Sequence, residues 1–163
     1  MLTKIRLLLL ALWLGAAIFF SATVAPAAFS VLRGYQLVNA GELAGSIVTR
    51  ALSAVNTAGF VIAVLLLITA LLFNRPATKI AFYVEAVLLV LIAAATGVSQ
   101  WVISPKMIVL RRSLFVPIDE VARDHPGRVA FDTLHGYSVT LLLVAMLASL
   151  ITFFLIARRR QPN

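Results

Sequence analysis

Four long stretches with at most one charged side chain each constrain the fold of this 163-residue chain more than any other feature. Each stretch exceeds the ~20 residues that an α-helix needs to cross about 30 Å of hydrocarbon. There the backbone must satisfy its own hydrogen bonds, and a β-barrel would instead show short alternating segments. The sequence therefore predicts an all-α fold: a single-domain integral membrane four-helix bundle, with a long interfacial loop between helices three and four. The predicted spans are residues 7–32, 51–73, 80–104 and 133–157.

Composition supports this class and excludes several functions. The chain is 62% hydrophobic and 12% charged, well outside the range of soluble domains. Its net charge of +8 fits basic residues that flank membrane spans, and no basic cluster lies on a soluble face, as nucleic-acid binding would require. The absence of cysteine excludes disulfides, thiolate chemistry and cysteine-ligated metals. The expected partner is the lipid bilayer, with no nucleic acid, metal or cofactor.

The first span admits a second interpretation, as a secretory signal peptide. Lys4 and Arg6 precede the apolar run, and Ala25-Pro26-Ala27 has the small-x-small form of a cleavage site. The uncharged run extends to Leu32, however, well beyond the apolar region of about 7–15 residues that signal peptides have. A retained transmembrane helix is therefore the favoured interpretation.

Basic residues do not decide the orientation by their number alone. With four spans, the N-terminus, the second connection and the C-terminal tail share one side of the membrane. Lysine and arginine are equally numerous on the two sides, but the first helix usually dominates, and its N-terminal flank is the more basic. We therefore expect insertion in the inner or plasma membrane, with both termini in the cytoplasm.

The three connections between the spans differ in length. The first, residues 33–49, predicts a turn and a short interfacial helix. The second, residues 73–79, contains Pro76 and predicts a tight turn, so that helices two and three form an antiparallel hairpin. In the third, Pro117 followed by acids predicts a helix start, and the apolar residues 107–110 are expected to lie against the membrane surface. This loop is expected to cover one end of the bundle.

Polar residues recur at a similar depth in all four spans, in one leaflet whichever way the protein inserts. One interpretation is that they hydrogen-bond across helices and fix the packing. Another is that they line a cavity that binds a small ligand. A third is a metal or haem site at the histidine, although one histidine supplies too few ligands. The candidates are Ser21, Thr23, Asn56, Gln100, His135 and Ser138.

The fourth-span histidine, His135, has Asp132 and Ser138 three residues away on either side, on one helix face. A carboxylate in that position could orient the imidazole and set its tautomer. The alternative is a histidine bonded to a neighbouring helix or to the third loop. In either case, replacing His135 should be more harmful than replacing His125.

Glu85 is the only acid inside a predicted span. Carboxylates at such positions are functional candidates by default, but a proton relay would need a second acid at depth. We therefore expect a structural role for it, with a partner in the adjoining turn at Asn74, Arg75 or Lys79.

Small residues and a proline predict close packing of helices. Pro26 is expected to bend the first helix, and Gly15 is expected to let a neighbouring helix approach. Pairs of small residues four positions apart extend this pattern to other spans; they are Ala11 and Gly15, Ala54 and Ala58, Gly59 and Ala63, and Ala93 and Gly97.

Motifs near both ends of the chain resemble one known family. Trp13-Leu-Gly15, Phe19-Phe20, Val24-Ala-Pro26 and Phe29 resemble the first helix of the transmembrane protein 205-like family, and Phe131-Asp-Thr-Leu-His-Gly-Tyr-Ser138 resembles its fourth. In that family an asparagine commonly follows the histidine by seven positions, where this chain has Leu142. The resemblance implies a four-helix membrane protein and supplies no reaction, because the family is largely of unknown function.

Two classes of function remain open. One is binding or helping to move a small molecule, or supporting a membrane stress response. The other is an accessory or structural subunit of a larger membrane complex, or self-association, through the small-residue faces. Phosphate loops, nucleophile elbows and zinc-protease motifs are absent from the sequence, so we expect no enzymatic activity.

Overall fold

The computed structural model describes residues 1–37, 39–73, 79–114 and 116–158. No strand occurs in these residues, and four helices are long and apolar enough to cross a membrane. The prediction of an all-α four-helix membrane bundle is confirmed. The first helix is Leu2–Gly34, the second Ala40–Phe73, the third Lys79–Ser113 and the fourth Pro126–Arg158.

Each helix packs against the next along the chain, and the fourth also packs against the first, so that the helices close a ring around one core. The start of the first helix lies beside the end of the second and the start of the third, as an up-down-up-down bundle requires. Large apolar side chains fill the centre, among them Leu10, Trp13, Leu66, Leu89 and Ile92. The predicted turn at Pro76 lies outside the described residues.

The helices extend beyond the charge-poor stretches. The candidate spans are 33 to 35 residues long, or about 50 Å at the helical rise, against about 30 Å of hydrocarbon. Residues 40–50 are the first turns of the second helix, and residues 104–113 are the last turns of the third. The prediction of a separate interfacial helix in the first connection is therefore wrong, and residues 107–110 belong to the third helix rather than to the loop that follows it. A helix carries its own backbone hydrogen bonds out of the hydrocarbon, so charged side chains do not end it.

The connection between the third and fourth helices folds over one end of the bundle. It contains one 3₁₀ turn, Ile118–Glu120, directly after Pro117, where the sequence predicts a helix start. Ile118 is buried, and its carbonyl accepts a hydrogen bond from Nη1 of Arg128. The fourth helix begins at Pro126.

Two wide turns interrupt the α-helical geometry, at Phe20–Val24 in the first helix and Ser99–Ile103 in the third. In each, the N–H of the residue after the turn donates to the C=O of its first residue, five positions back. Each wide turn is followed closely by a proline, Pro26 or Pro105, whose missing N–H removes one α-helical hydrogen bond. The structure thus places a wide turn next to Pro26, and the bend expected there stays a prediction.

A glycine allows the first and second helices to approach closely. Nε1 of Trp13 donates to the C=O of Val55 at 2.9 Å. A Cβ atom at Gly59 would lie 2.6 to 2.8 Å from three atoms of the Trp13 indole ring, closer than packed atoms come. Gly59 and Ala63 are both buried, so the prediction of close packing holds for this pair.

Other small residues face away from the bundle. Gly15 is exposed, and a Cβ atom there would meet no described atom within 4 Å. The prediction that Gly15 lets a neighbouring helix approach is therefore wrong within this chain. Ala11, Ala54 and Ala58 are also exposed. Small residues alone do not indicate which face of a helix is covered.

A buried ion pair joins the first and third helices at the end of the bundle opposite the long loop. Nη2 of Arg6 contacts Oε1 of Glu85 and also donates to the C=O of Leu66 at 3.3 Å. The Arg6 side chain is 6% exposed and that of Glu85 is 0% exposed. The third helix thereby has a charged contact with the first, in addition to its packing between the second and fourth.

The predicted partners of Glu85 lie in the adjoining turn. Asn74 and Arg75 fall outside the described residues, and Lys79 is exposed at the start of the third helix. The sequence analysis assigned Arg6 to the flank of the first span. The observed partner, Arg6, is 79 positions away in the chain, and no local sequence pattern indicates a contact over that separation.

Candidate functional site

Three buried polar side chains link the second, third and fourth helices. Nδ2 of Asn56 donates to Oγ of Ser99 at 3.0 Å, and Oγ of Ser99 lies 3.1 Å from Oγ of Ser138. Asn56 and Ser99 are each 1% exposed and Ser138 is 5% exposed. Oδ1 of Asn56 is buried without a hydrogen-bond partner among the described residues. Hydrogen bonding between helices, one of the three interpretations, therefore applies to Asn56 and Ser138.

A second polar contact joins the second and third helices, and its residue on the third helix directly follows Ser99. Nε2 of Gln100 donates to Oγ of Ser53 at 2.8 Å, while Oε1 of Gln100 is buried without a partner in the described part of the chain. Gln100 and Ser99 are the first two residues of the wide turn Ser99–Ile103. Such interruptions of a helix are frequent at functional sites.

Beside these contacts, a groove opens between the first, second and fourth helices. Its volume is about 400 Å³, which lies within the range of small-molecule sites. Its walls are mostly apolar, and the polar side chains among its lining residues are Ser21, His135 and Ser138. Val139 and Leu143, at its margin, are 54% and 51% exposed, so the groove is open to the surroundings of the bundle.

A smaller cavity of about 210 Å³ continues from the groove towards the end that the long loop covers. The two cavities share several lining residues, including His135 and Ser138. Arg111, Arg128 and Asp132 add charged groups to the smaller cavity. An apolar groove thus lies beside a smaller cavity with charged lining residues, an arrangement that suits an amphipathic molecule.

His135 lines both cavities. The carboxylate of Asp132 accepts hydrogen bonds from Nε of Arg128 at 3.1 and 3.3 Å. The expectation that Asp132 orients the His135 imidazole is therefore not met; the carboxylate is bound by Arg128 instead. Nδ1 of His125 accepts from the N–H of Gly127 at 3.1 Å, in an exposed turn.

The remaining candidates lie on the first helix. Ser21 is half-buried in the groove and donates to the C=O of Ala17, at 2.9 Å, within its own helix. Pro26 also lines the groove, whereas Thr23 is exposed and lines neither cavity. The six polar candidates lie at a similar depth but do not form one site. Thr23 is on a face of the first helix that points away from the others.

In the part of the chain that the structure describes, no cluster of three or more His, Cys, Asp or Glu side chains is placed to hold a metal ion. The polar groups that the groove offers to a ligand are the hydroxyl groups of Ser21 and Ser138 and the imidazole of His135.

Two arginines of the site, Arg111 and Arg128, are not among the candidates that the sequence predicts. Arg128 binds Asp132 and the carbonyl of Ile118, and the guanidinium of Arg111 lies 5.4 Å from the ring centroid of Phe131. No sequence pattern distinguishes an arginine that folds back onto a bundle from one that extends to the headgroups. Only the positions of the neighbouring helices decide this.

Comparison with known proteins identifies one family. A family model described as a domain of unknown function, DUF4149, matches residues 8–115, which include the second and third helices and most of the first. No curated protein and no solved structure matches. The resemblance to the transmembrane protein 205-like family stays a prediction, since its fourth-helix motif lies outside the matched segment. Because the model matches more than half of the chain, this protein belongs to the DUF4149 family of unknown function.

Proposed function

We propose that this multi-pass membrane protein binds a small, largely apolar molecule in the groove between its first, second and fourth helices, and so holds it or helps to move it. The observation that carries the proposal is the groove itself, an open volume of about 400 Å³ with apolar walls and few polar groups. Sites for small molecules commonly have this combination.

Selection in this groove must come from its shape and its polar groups. Inside a bilayer, lipid tails are as apolar as the walls, so the hydrophobic effect gives little preference for the groove. Oγ of Ser138 already contacts Ser99 but retains capacity to accept a further hydrogen bond, and the imidazole of His135 offers one donor and one acceptor when neutral. A hydrocarbon body with a hydroxyl or carbonyl group fits this arrangement.

Filling the groove tests the proposal. Val139→Trp places a large side chain at the margin of the groove, and Leu147→Trp places one on an exposed position of the same helix that does not line it. Each protein is purified in mild detergent, and the molecules that it carries are extracted and quantified by mass spectrometry. Wild type and Leu147→Trp should retain a common apolar molecule that Val139→Trp lacks. Equal content in all three proteins would refute the proposal.

The two histidines provide a second comparison. His135→Ala should reduce the retained molecule, because it removes a polar group from the groove. His125→Ala should not, because its imidazole serves an exposed turn. Equal retention by the two variants would count against a role for His135 in binding.

A second candidate function is that of an accessory or structural subunit. It is favoured by exposed small residues in the first and second helices, at Ala11, Gly15, Ala54 and Ala58. Such residues let the backbones of two helices approach in a membrane. Purification in mild detergent discriminates the candidates: a larger complex that Gly15→Leu dissociates supports a subunit, whereas an isolated particle supports a binding protein.

A further inference from the structure

A second cleft lies between the first turns of the second helix and the last turns of the third. Its volume is about 590 Å³. Arg50, Arg111 and Arg112 line it, and Glu42 is the only acid among its lining residues. The cleft therefore carries an excess of positive charge in a concave surface, where low-dielectric walls strengthen the field that an anion experiences.

Among the side chains that the structure describes, which do not include that of Asp119, none forms an ion pair or hydrogen bond with the three guanidinium groups. Arginines near the end of a span ordinarily extend to the lipid headgroups as flanking charges. Arg50 and Arg112 are exposed and fit this description. Arg111 does not, because it is half-buried and its Nε atom is shielded from solvent, with no acceptor in the described part of the chain.

Packing against two other helices holds Arg111 in place. Its guanidinium lies 5.4 Å from the ring centroid of Phe131 on the fourth helix. On the other side, a Cβ atom at Gly45 would lie 2.8 Å from Nη2 of Arg111, so the absence of a side chain at Gly45 provides the space for the guanidinium. A charged group held in this way between helices is preorganised to receive an anion.

The remaining polar groups of the cleft fit a particular kind of anion. Ser53 and Ser104 line the cleft with hydroxyl groups. Oε1 of Gln100, which also lines it, is a buried acceptor without a donor among the described residues. Because that atom is buried, the hydroxyl groups of Ser53 and Ser104 are the better partners for a ligand that carries anionic oxygens for the arginines and a hydroxyl group beside them.

The position of the cleft along the helices matches the membrane boundary. Ser53 and Gln100 lie within the charge-poor stretches, and Arg50 and Arg111 lie beyond them. Trp101, also in the lining, is 53% exposed, and tryptophan favours the level of the headgroups. Phosphate groups of membrane lipids occupy this level.

We propose that this cleft binds a phosphate-type oxyanion bearing an adjacent hydroxyl group, with Arg111 as its central contact and Arg50 and Arg112 at its rim. Guanidinium groups bind phosphate through two parallel hydrogen bonds, which a point charge cannot do. The site goes beyond the groove proposed above, since it opens between the second and third helices and takes a different class of ligand, although Arg111 also lines the smaller cavity beside the groove. The oxyanion comes either from a lipid headgroup or from a free phosphate ester.

Binding to the purified protein in non-ionic detergent tests the proposal, with inorganic phosphate, glycerol 1-phosphate and dihexanoyl phosphatidylglycerol as probes and calorimetry as the readout. Binding of the short-chain lipid alone identifies a headgroup site, and binding of glycerol 1-phosphate as well identifies a site for the phosphate ester itself. Failure of all three probes to bind the wild type at millimolar concentration would overturn the proposal.

Variants separate this site from general charge effects. Arg111→Ala should weaken binding about tenfold or more, because it removes a bidentate contact. Gly45→Ala should weaken binding without changing the net charge, because the new Cβ displaces the guanidinium. Arg123→Ala, at an exposed loop position, is the matched control and should bind as the wild type does.

Arg111→Lys is a control for loss of folding in Arg111→Ala, since it keeps the charge and much of the side chain. It should unfold at the wild-type temperature and still bind more weakly, because lysine lacks the planar fork. Wild-type affinity in Arg111→Lys, Arg111→Ala and Gly45→Ala would overturn the assignment of Arg111. Val139→Trp should leave phosphate binding unchanged, so failure of the groove proposal and failure of this one are distinguishable.

Discussion

Replacing Glu85 with glutamine removes the counter-charge of Arg6 and leaves a side chain of nearly the same shape. Both groups are buried, with side-chain exposures of 0% and 6%, and Nε of Arg6 has no acceptor among the described residues. Removing one partner of such a pair costs about 3–5 kcal/mol, because the remaining charge stays buried without compensation. For a chain of this size, that corresponds to a melting temperature lower by about 10 °C.

The assay is thermal unfolding of the purified protein in one detergent, followed by circular dichroism. The double variant Arg6→Met, Glu85→Leu should recover to within about 1 kcal/mol of wild type, because apolar residues often replace a buried ion pair without loss. Lys4→Met is the control, since Lys4 is an exposed cation on the same turn of the first helix. The reasoning is refuted if Glu85→Gln has the melting temperature of the wild type. It is also refuted if the double variant loses as much free energy of unfolding as the single variants Arg6→Met and Glu85→Leu lose together.

Further predictions concern packing and orientation. Gly59→Ala should lower the free energy of unfolding by about 1–3 kcal/mol through overpacking, and Gly15→Ala, whose Cβ meets nothing, should be neutral or slightly stabilising in the same thermal assay. Asn56→Ala should cost about 1–2 kcal/mol through loss of its hydrogen bond to the third helix, whereas Thr57→Ala at an exposed position should cost little; equal losses would contradict the buried network. A reporter fused after Asn163 should be active in the cytoplasm, and activity only outside it would reverse the proposed orientation.

Several features of the site could be predicted from the sequence because they depend on local composition. The depth of Asn56, Gln100 and Ser138 follows from counting along apolar stretches, and the structure places all three in contacts between helices. An irregular turn near Pro26 is consistent with the missing N–H group of proline, although the sequence analysis predicted a bend and not a wide turn. Each of these properties belongs to one helix considered alone.

Other features depend on the rotation and pairing of helices, which the sequence does not specify. Gly15 and Gly59 are the same residue type, each four positions from an alanine, yet one is exposed and the other receives an indole ring. Arg6 was assigned to the flank of a span and instead lies buried against Glu85. Thr23 shares its depth with the polar candidates but faces outwards.

The sequence by itself determined the class of this protein, because long charge-poor stretches in a bilayer must satisfy their backbone hydrogen bonds as helices. It also determined the approximate level at which polar groups occur. Only the tertiary structure decided which of those groups meet, because contacts such as Arg6 with Glu85, or Arg111 with Phe131, join residues of different helices. Which face of each helix is covered depends on all four packing together, and that packing creates both the groove and the arginine-lined cleft.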